Sequence, residues 1–176
     1  LLRGYIDEPL LLIKNKDVIN CYSNVCTHRA HLVVSEPCNI NTLCCPYHGR
    51  SFNLDGSFKS MPGFEEVENF PTKQDNLKSI PILTWKNFIF ISLNPSINMT
   101  PVLNDIEMRL PSFPFDDLTY DKNSSASWEI DAHWALYCEN YLEGFHVPFV
   151  HKGLAKDIDV STYETQLLEN GVLQIA

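Results

Sequence analysis

Apolar and polar residues alternate in short bursts through the first half of the chain. Leu10-Leu11-Leu12-Ile13, the polar Lys14-Asn15-Lys16-Asp17 and Val18-Ile19-Asn20-Cys21-Tyr22 predict two β-strands joined by a hairpin. Further short strands are expected at Leu43-Cys44, at Arg50-Ser51-Phe52-Asn53 and over residues 87–93, with Leu54-Asp55-Gly56-Ser57 turning the chain before Phe58. Pro95, Pro101, Pro111 and Pro114 then predict a linker with at most a short helix around residues 105–109. Beyond it, Ser127-Trp128-Glu129-Ile130 reads as a strand. Trp134, Tyr137, Cys138, Tyr141, Leu142 and Phe145 recur at helical spacing and predict one apolar helix face, with Pro148 ending the helix. Gln166-Leu167-Leu168, Glu169-Asn170-Gly171 and Val172-Leu173-Gln174-Ile175 predict a hairpin about Asn-Gly.

This pattern divides the 176 residues into a strand-rich domain over 1–95, a linker over 96–114 and the start of a second domain over 115–176. Hydrophobic residues at 44% and charged residues at 20% suit a packed globular protein. Lys plus Arg number 13 against 22 Asp plus Glu, a formal charge of -9, and no basic run exceeds two neighbours. Nucleic acid and anionic membrane surfaces are therefore disfavoured as partners. No apolar stretch reaches the roughly 18 residues of a spanning helix, and no cleavable export signal is seen. The chain begins at Leu1-Leu2-Arg3 without an initiator Met. Of six cysteines, Cys44 and Cys45 are too close for an ordinary disulfide, and a reducing cytoplasm is expected.

Two candidate metal sites change the picture. Cys26-Thr27-His28 and Cys45-Pro46-Tyr47-His48 pair two thiolates with two imidazoles. Ligand type alone suits zinc or iron–sulfur chemistry. Structural zinc, however, usually takes Cys-x2-4-Cys knuckles, whereas each half here supplies one Cys and one His, as a Rieske [2Fe-2S] cluster requires. Cys21 and Cys38 read as ordinary thiols, Cys44 as a spectator and His31 as a packing residue. About a hundred residues on comes Glu143-x-x-His146-x4-His151. Glu139, Glu143 and His146 are spaced to share one side of a helix, so a carboxylate and an imidazole can converge there. Two His and a carboxylate are the beginning of a mononuclear iron site.

The strings Cys-Thr-His-Arg and Cys-Pro-Tyr-His-Gly, followed by Phe52, Asp55 and Gly56, resemble the Rieske domain of ring-hydroxylating oxygenase α subunits. The segment from Glu139 to His151 resembles the catalytic-iron segment of the same Rieske non-heme iron oxygenase family, in the same order along the chain. The resemblance implies an α+β protein, an all-β Rieske [2Fe-2S] domain followed by a truncated N-terminal part of a helix-grip (Bet v1-like) catalytic domain. It makes Cys26, His28, Cys45 and His48 cluster ligands and His146 and His151 ligands of a mononuclear Fe(II). Glu143 takes the place of the acidic residue that bridges electron transfer from a neighbouring subunit's cluster. The family's third iron ligand, a carboxylate, lies far downstream and is expected beyond Ala176; Asp157 and Asp159 lack its context. Respiratory Rieske proteins carry a disulfide where this chain has His31 and Tyr47, which favours the oxygenase or ferredoxin branch. Where the family often has Trp, this chain has Arg50, a change expected to leave ligation intact and to alter partner docking or potential.

The implied activity is that of an oxidoreductase: electrons pass one at a time from the cluster to the iron, which activates O2 to hydroxylate a small organic substrate. An aromatic ring, in aromatic hydrocarbon catabolism, is the first expectation. A quaternary ammonium compound of choline type is the alternative, for which an aromatic cage from Trp128, Trp134 or Tyr137 would argue. A ferredoxin or flavin reductase is the expected electron donor and a homotrimer the expected full-length assembly, with this fragment inactive alone. A Rieske ferredoxin-type carrier would need only residues up to about Leu93. A non-catalytic metal-stabilised binding module is the third reading, marked by zinc in place of iron.

Overall fold

The structure, a computed structural model, describes residues 7–175; residues 1–6 of the expected first domain, and Ala176, lie outside it. Two compact units divide the chain, Leu1–Thr119 and Tyr120–Ala176. The first begins with β1 (Leu10–Asn15) and β2 (Val18–Ser23), an antiparallel hairpin pairing Asn15 with Val18. Lys16, at φ 54°, makes the left-handed step that a tight hairpin turn needs. β3 (Leu43–Cys44), β4 (Ser51–Phe52) and β5 (Phe58–Ser60) form a second antiparallel sheet. β6 (Ser79–Ile80) returns to the open side of β2, and β7 (Ile82–Trp85) pairs with β8 (Phe88–Ile91).

Ile13, Tyr22, Val33, Leu43, Phe52 and Leu77 fill the core, and Cys26 and Cys45 are buried in the same cluster. Burying a side chain such as Phe52, fully enclosed, stabilises by about 1.5–3 kcal/mol. The two candidate ligand cysteines are thus rooted in the best-packed part of the unit. The expected turn before Phe58 is present, and it needs its glycine twice over. Gly56 lies at φ +77°, and a Cβ there would fall inside the Tyr22 ring.

The segment expected as a linker is packed. Helix α1 spans Thr100–Arg109, earlier than the short helix expected around residues 105–109, because Pro101 falls in its first turn, where a missing N–H is harmless. Leu103 is buried, Trp85 Nε1 donates to Glu107 Oε1 at 2.5 Å, and Asn87 Nδ2 donates to the carbonyls of Asp116 and Leu118. These bonds hold the proline-rich stretch to β7 and β8, and the compact unit runs on to Thr119.

In the second unit, α2 spans Trp134–Tyr141, α3 spans Val147–Val150, and β9 (Glu164–Leu168) pairs with β10 (Gly171–Ile175). Three expectations are corrected here. Residues 127–130 form no strand; they are exposed and have no pairing partner among the described residues, and a strand is not stable without one. The helix ends at Tyr141 rather than running to Pro148, so Glu143 and His146 lie on the turn after it. Pro148 sits in the first turn of α3 and starts a helix instead of ending one. The two-residue hairpin loop is Glu169-Asn170, with Gly171 opening β10.

Candidate metal centres

The two Cys-His loops share one backbone frame despite different side-chain spacing. In the first, Cys26 N–H donates to the His31 carbonyl at 2.8 Å and Ala30 N–H to the Cys26 carbonyl at 3.0 Å. In the second, Cys45 N–H donates to the Arg50 carbonyl at 2.8 Å and Gly49 N–H to the Cys45 carbonyl at 3.0 Å. Ala30 (φ 55°) and Gly49 (φ 74°) occupy the same left-handed position in each. The frame tucks both cysteines inward, to 3% and 2% exposure, and brings the His28 and His48 rings edge to face, 4.7 Å between centroids.

Burial pushes the Cys26 thiol up, against the lowering effect of the His28 and Arg29 backbone N–H groups, and the hydrogen-bonded Cys45 adds to the rise. His28 is held below its ordinary value by desolvation and by the charges of His48, Arg29 and Arg50. Two buried, neighbouring thiols and a pair of imidazoles in contact fit a cationic two-metal group: the metals would offset the thiolate charge that burial opposes. Among the described residues no three His, Cys, Asp or Glu side chains converge on a single point. A cluster that spreads four ligands over two irons asks for only two donors at each. Cys21 is buried in the core and Cys38 and Cys44 are exposed; all six cysteines are free. The His31 and Tyr47 rings lie 5.6 Å apart, and Tyr47 also packs on His48 at 3.9 Å.

Asp75 and Thr72 are two contributors that the motifs did not reveal. Asp75 accepts Thr27 Oγ1 at its carbonyl (2.8 Å) and Arg50 Nη2 at its carboxylate (2.5 Å). Its other carboxylate oxygen takes the Thr72 N–H and hydroxyl in a capping box. Thr72-x-x-Asp75 was the available signal. Burial alone would raise the Asp75 carboxyl, but hydrogen bonds from Thr72 and Arg50 and the Arg50 charge bring it below the ordinary value.

The second centre lies on the turn between α2 and α3. Glu143 Oε1 pairs with His146 Nδ1, and Oε2 accepts the Phe145 N–H at 2.5 Å. Glu143 is accordingly held below the ordinary carboxylate range, chiefly by His146. With Nδ1 engaged, His146 keeps Nε2 for a metal. His151 caps the end of α3, and its ring meets that of His146 edge to face at 5.1 Å. Both line a cavity of about 560 Å3 with Asn140, Tyr141, Glu143 and Tyr163. Two imidazoles with one oriented by a carboxylate fit part of a mononuclear iron site. Glu143 is engaged with His146, and Asp159, whose Oδ1 accepts from Ser161, does not line the cavity. Asp157, Trp128, Trp134 and Tyr137 do not line this cavity, and His133 caps α2 by accepting the Ala135 N–H at 3.2 Å.

Residues 3–71 match the Rieske [2Fe-2S] domain family. Over 174 residues, 95% of this chain and 39% of the relative, the sequence is 31% identical to choline monooxygenase, chloroplastic, of Beta vulgaris. It is 30% identical over 181 residues to the carnitine monooxygenase oxygenase subunit of Escherichia coli (strain K12), covering 98% of this chain and 47% of that one. Among solved structures, the quaternary ammonium Rieske monooxygenase CntA in complex with L-carnitine superposes with a TM-score of 0.74 at 26% identity, covering 95% of this chain and 48% of that chain. The first unit is thus a Rieske-type iron–sulfur domain. Over nearly its whole length the chain is similar to Rieske non-heme iron oxygenases. It spans between two fifths and a half of the length of the curated relatives it matches.

Proposed function

We propose that this chain is the electron-accepting and iron-bearing part of a Rieske oxygenase acting on a quaternary ammonium compound. The carrying observation is that two separate donor sets stand in one chain: paired Cys-His loops in the first unit, and a carboxylate-oriented pair of histidines on a cavity in the second. When bound, a [2Fe-2S] cluster supplies single electrons and a mononuclear Fe(II) supplies O2 activation. Cys26 and Cys45 would hold one iron of the cluster, and His28 and His48 the other. His146 and His151 would hold the mononuclear iron. Glu143 pairs with His146 Nδ1 and so leaves Nε2 as the nitrogen that would meet the metal.

The names of the relatives support choline- or carnitine-like substrates over an aromatic ring. Tyr141 and Tyr163, aromatic residues of the type that binds such cations, line the cavity. The matches reach across nearly the whole chain, past anything a Rieske ferredoxin-type carrier would need. No helix among the described residues is long and apolar enough to cross a membrane, and six free cysteines suit a reducing compartment such as the cytoplasm. A ferredoxin or flavin reductase donates the electrons, and the full-length protein assembles as a homotrimer.

Metal and acid-labile sulfide analysis of anaerobically purified protein tests this reading, with electron paramagnetic resonance after dithionite. Two irons with sulfide, a Rieske-type signal, and further iron that disappears in His146→Ala support it. Zinc without sulfide overturns it. Oxidation of naphthalene but of neither choline nor carnitine by the full-length protein with a reductase would overturn the substrate class alone.

A further inference from the structure

Arg50 is the least expected residue of the first unit. It is 3% exposed, and its guanidinium lies 5.9, 5.0 and 5.6 Å from the ring centroids of Phe52, Phe58 and Phe70. Its Nη2 donates to the Asp75 carboxylate at 2.5 Å and to the Asp75 carbonyl at 3.4 Å, while its buried Nε has no hydrogen-bond partner in the protein. A buried guanidinium with one donor unused is an expensive way to fill a core; an apolar side chain would fill the same space at less desolvation cost. A charge kept there under such conditions points to a use for the charge itself.

The surroundings identify what it acts on. Arg50 closes the second ligand loop, since its carbonyl accepts the Cys45 N–H. Asp75 also receives the hydroxyl of Thr27, which stands between Cys26 and His28 in the first loop. One aspartate therefore collects a residue from each loop. A second line of contacts runs through aromatic rings: Phe70 in the arginine cage packs on Phe64 at 5.3 Å, and Phe64 packs on His28 at 6.1 Å.

We propose that the buried Arg50–Asp75 pair is a positioning device that registers the two ligand loops against each other and sets the reduction potential of the cluster through two opposed fixed charges. The inference rests on the proposed cluster at Cys26, His28, Cys45 and His48. Adding an electron to the cluster adds negative charge, so a nearby cation favours the reduced state and a nearby anion disfavours it. Paired, the two largely cancel; parted, each acts alone.

Opposite signs distinguish this from ordinary packing. Arg50→Met keeps an apolar, flexible filler among the aromatic rings and leaves the Asp75 charge uncompensated, so the midpoint potential falls. Asp75→Asn leaves the guanidinium uncompensated, and the potential rises. The double substitution returns it toward the starting value, and Thr27→Ala, which changes no charge, loosens cluster retention with little shift. Each variant is read by redox titration of the full chain, with iron and sulfide content and the electron paramagnetic resonance signal as checks on cluster integrity. Arg50→Gln is a second neutral replacement read in the same way if Arg50→Met does not retain the cluster. Shifts of the same sign in the arginine and aspartate variants, or none in either with the cluster intact, overturn the proposal. A wild-type chain without iron and sulfide instead overturns the cluster reading on which it stands.

Discussion

His28 and His48 face each other edge to face at 4.7 Å, although one follows its cysteine by two residues and the other by three. The identical backbone frame of the two loops absorbs that difference, and Pro46 and Tyr47 supply the added residue. Because both rings belong to one iron of the proposed cluster, either is indispensable and the exposed thiols are not. His48→Ala is expected to abolish the Rieske-type paramagnetic signal and most acid-labile sulfide, whereas Cys38→Ala and Cys44→Ala keep both. Sulfide and iron assays on the three purified variants check this.

Gly56 carries a steric and a conformational requirement together. Gly56→Ala forces a left-handed alanine and drives its Cβ into the Tyr22 ring. The expected loss is about 2–5 kcal/mol, the sum of a left-handed alanine and overpacking at a core ring. Chemical denaturation would show it as a lower midpoint with an unchanged slope.

Asp75 makes the first unit sensitive to acid. Its native carboxyl titrates below the unfolded value, so the stability it contributes is present above the ordinary carboxylate range and is lost as pH falls through the depressed native value. Stability should therefore drop below about pH 4. Asp75→Asn should be less stable than wild type at neutral pH and should converge with it in acid. Denaturation midpoints measured from neutral to acid pH would separate the two curves.

Gly144 and Tyr163 determine how the turn bearing Glu143 and His146 meets the hairpin. The Tyr163 ring occupies the space a Cβ on Gly144 would need, and its hydroxyl donates to Gln174 Oε1 at 2.6 Å, whose amide in turn donates to the Tyr141 carbonyl. Gly144→Ala should displace the ring and weaken iron retention at His146 and His151, read as loss of the iron not accounted for by sulfide. Tyr163→Phe keeps the packing and removes one hydrogen bond, at a cost of about 1 kcal/mol in thermal or chemical denaturation.

Much of the first unit was legible because hairpins and turns are local. The β1–β2 hairpin, the strand at Leu43-Cys44 and the turn at Gly56 each follow from a handful of adjacent residues. Arg50 was legible only as a departure from the family. Its burial depends on Asp75 and on Phe58 and Phe70, partners that nothing in the sequence near Arg50 announces. The helix expected to run to Pro148 stops at Tyr141. The apolar period continues to Phe145, but Gly144 and the close approach of Tyr163 from the hairpin, a tertiary effect, turn the chain first. Glu143 and His146 were expected to converge from their spacing, and they do, but on the turn after α2 and not on one continuous helix.

The hydrogen bonds that close each ligand loop, from a cysteine N–H to the carbonyl five residues on, fix a length. A residue inserted within 26–31 or 45–50 would open the frame and part the imidazoles. The stretch between the loops is under no such constraint: residues 35–41 are exposed throughout and carry no ligand. Length variation among kindred chains should therefore gather between the two loops, so that the interval from His28 to Cys45 drifts while the count inside each loop stays constant.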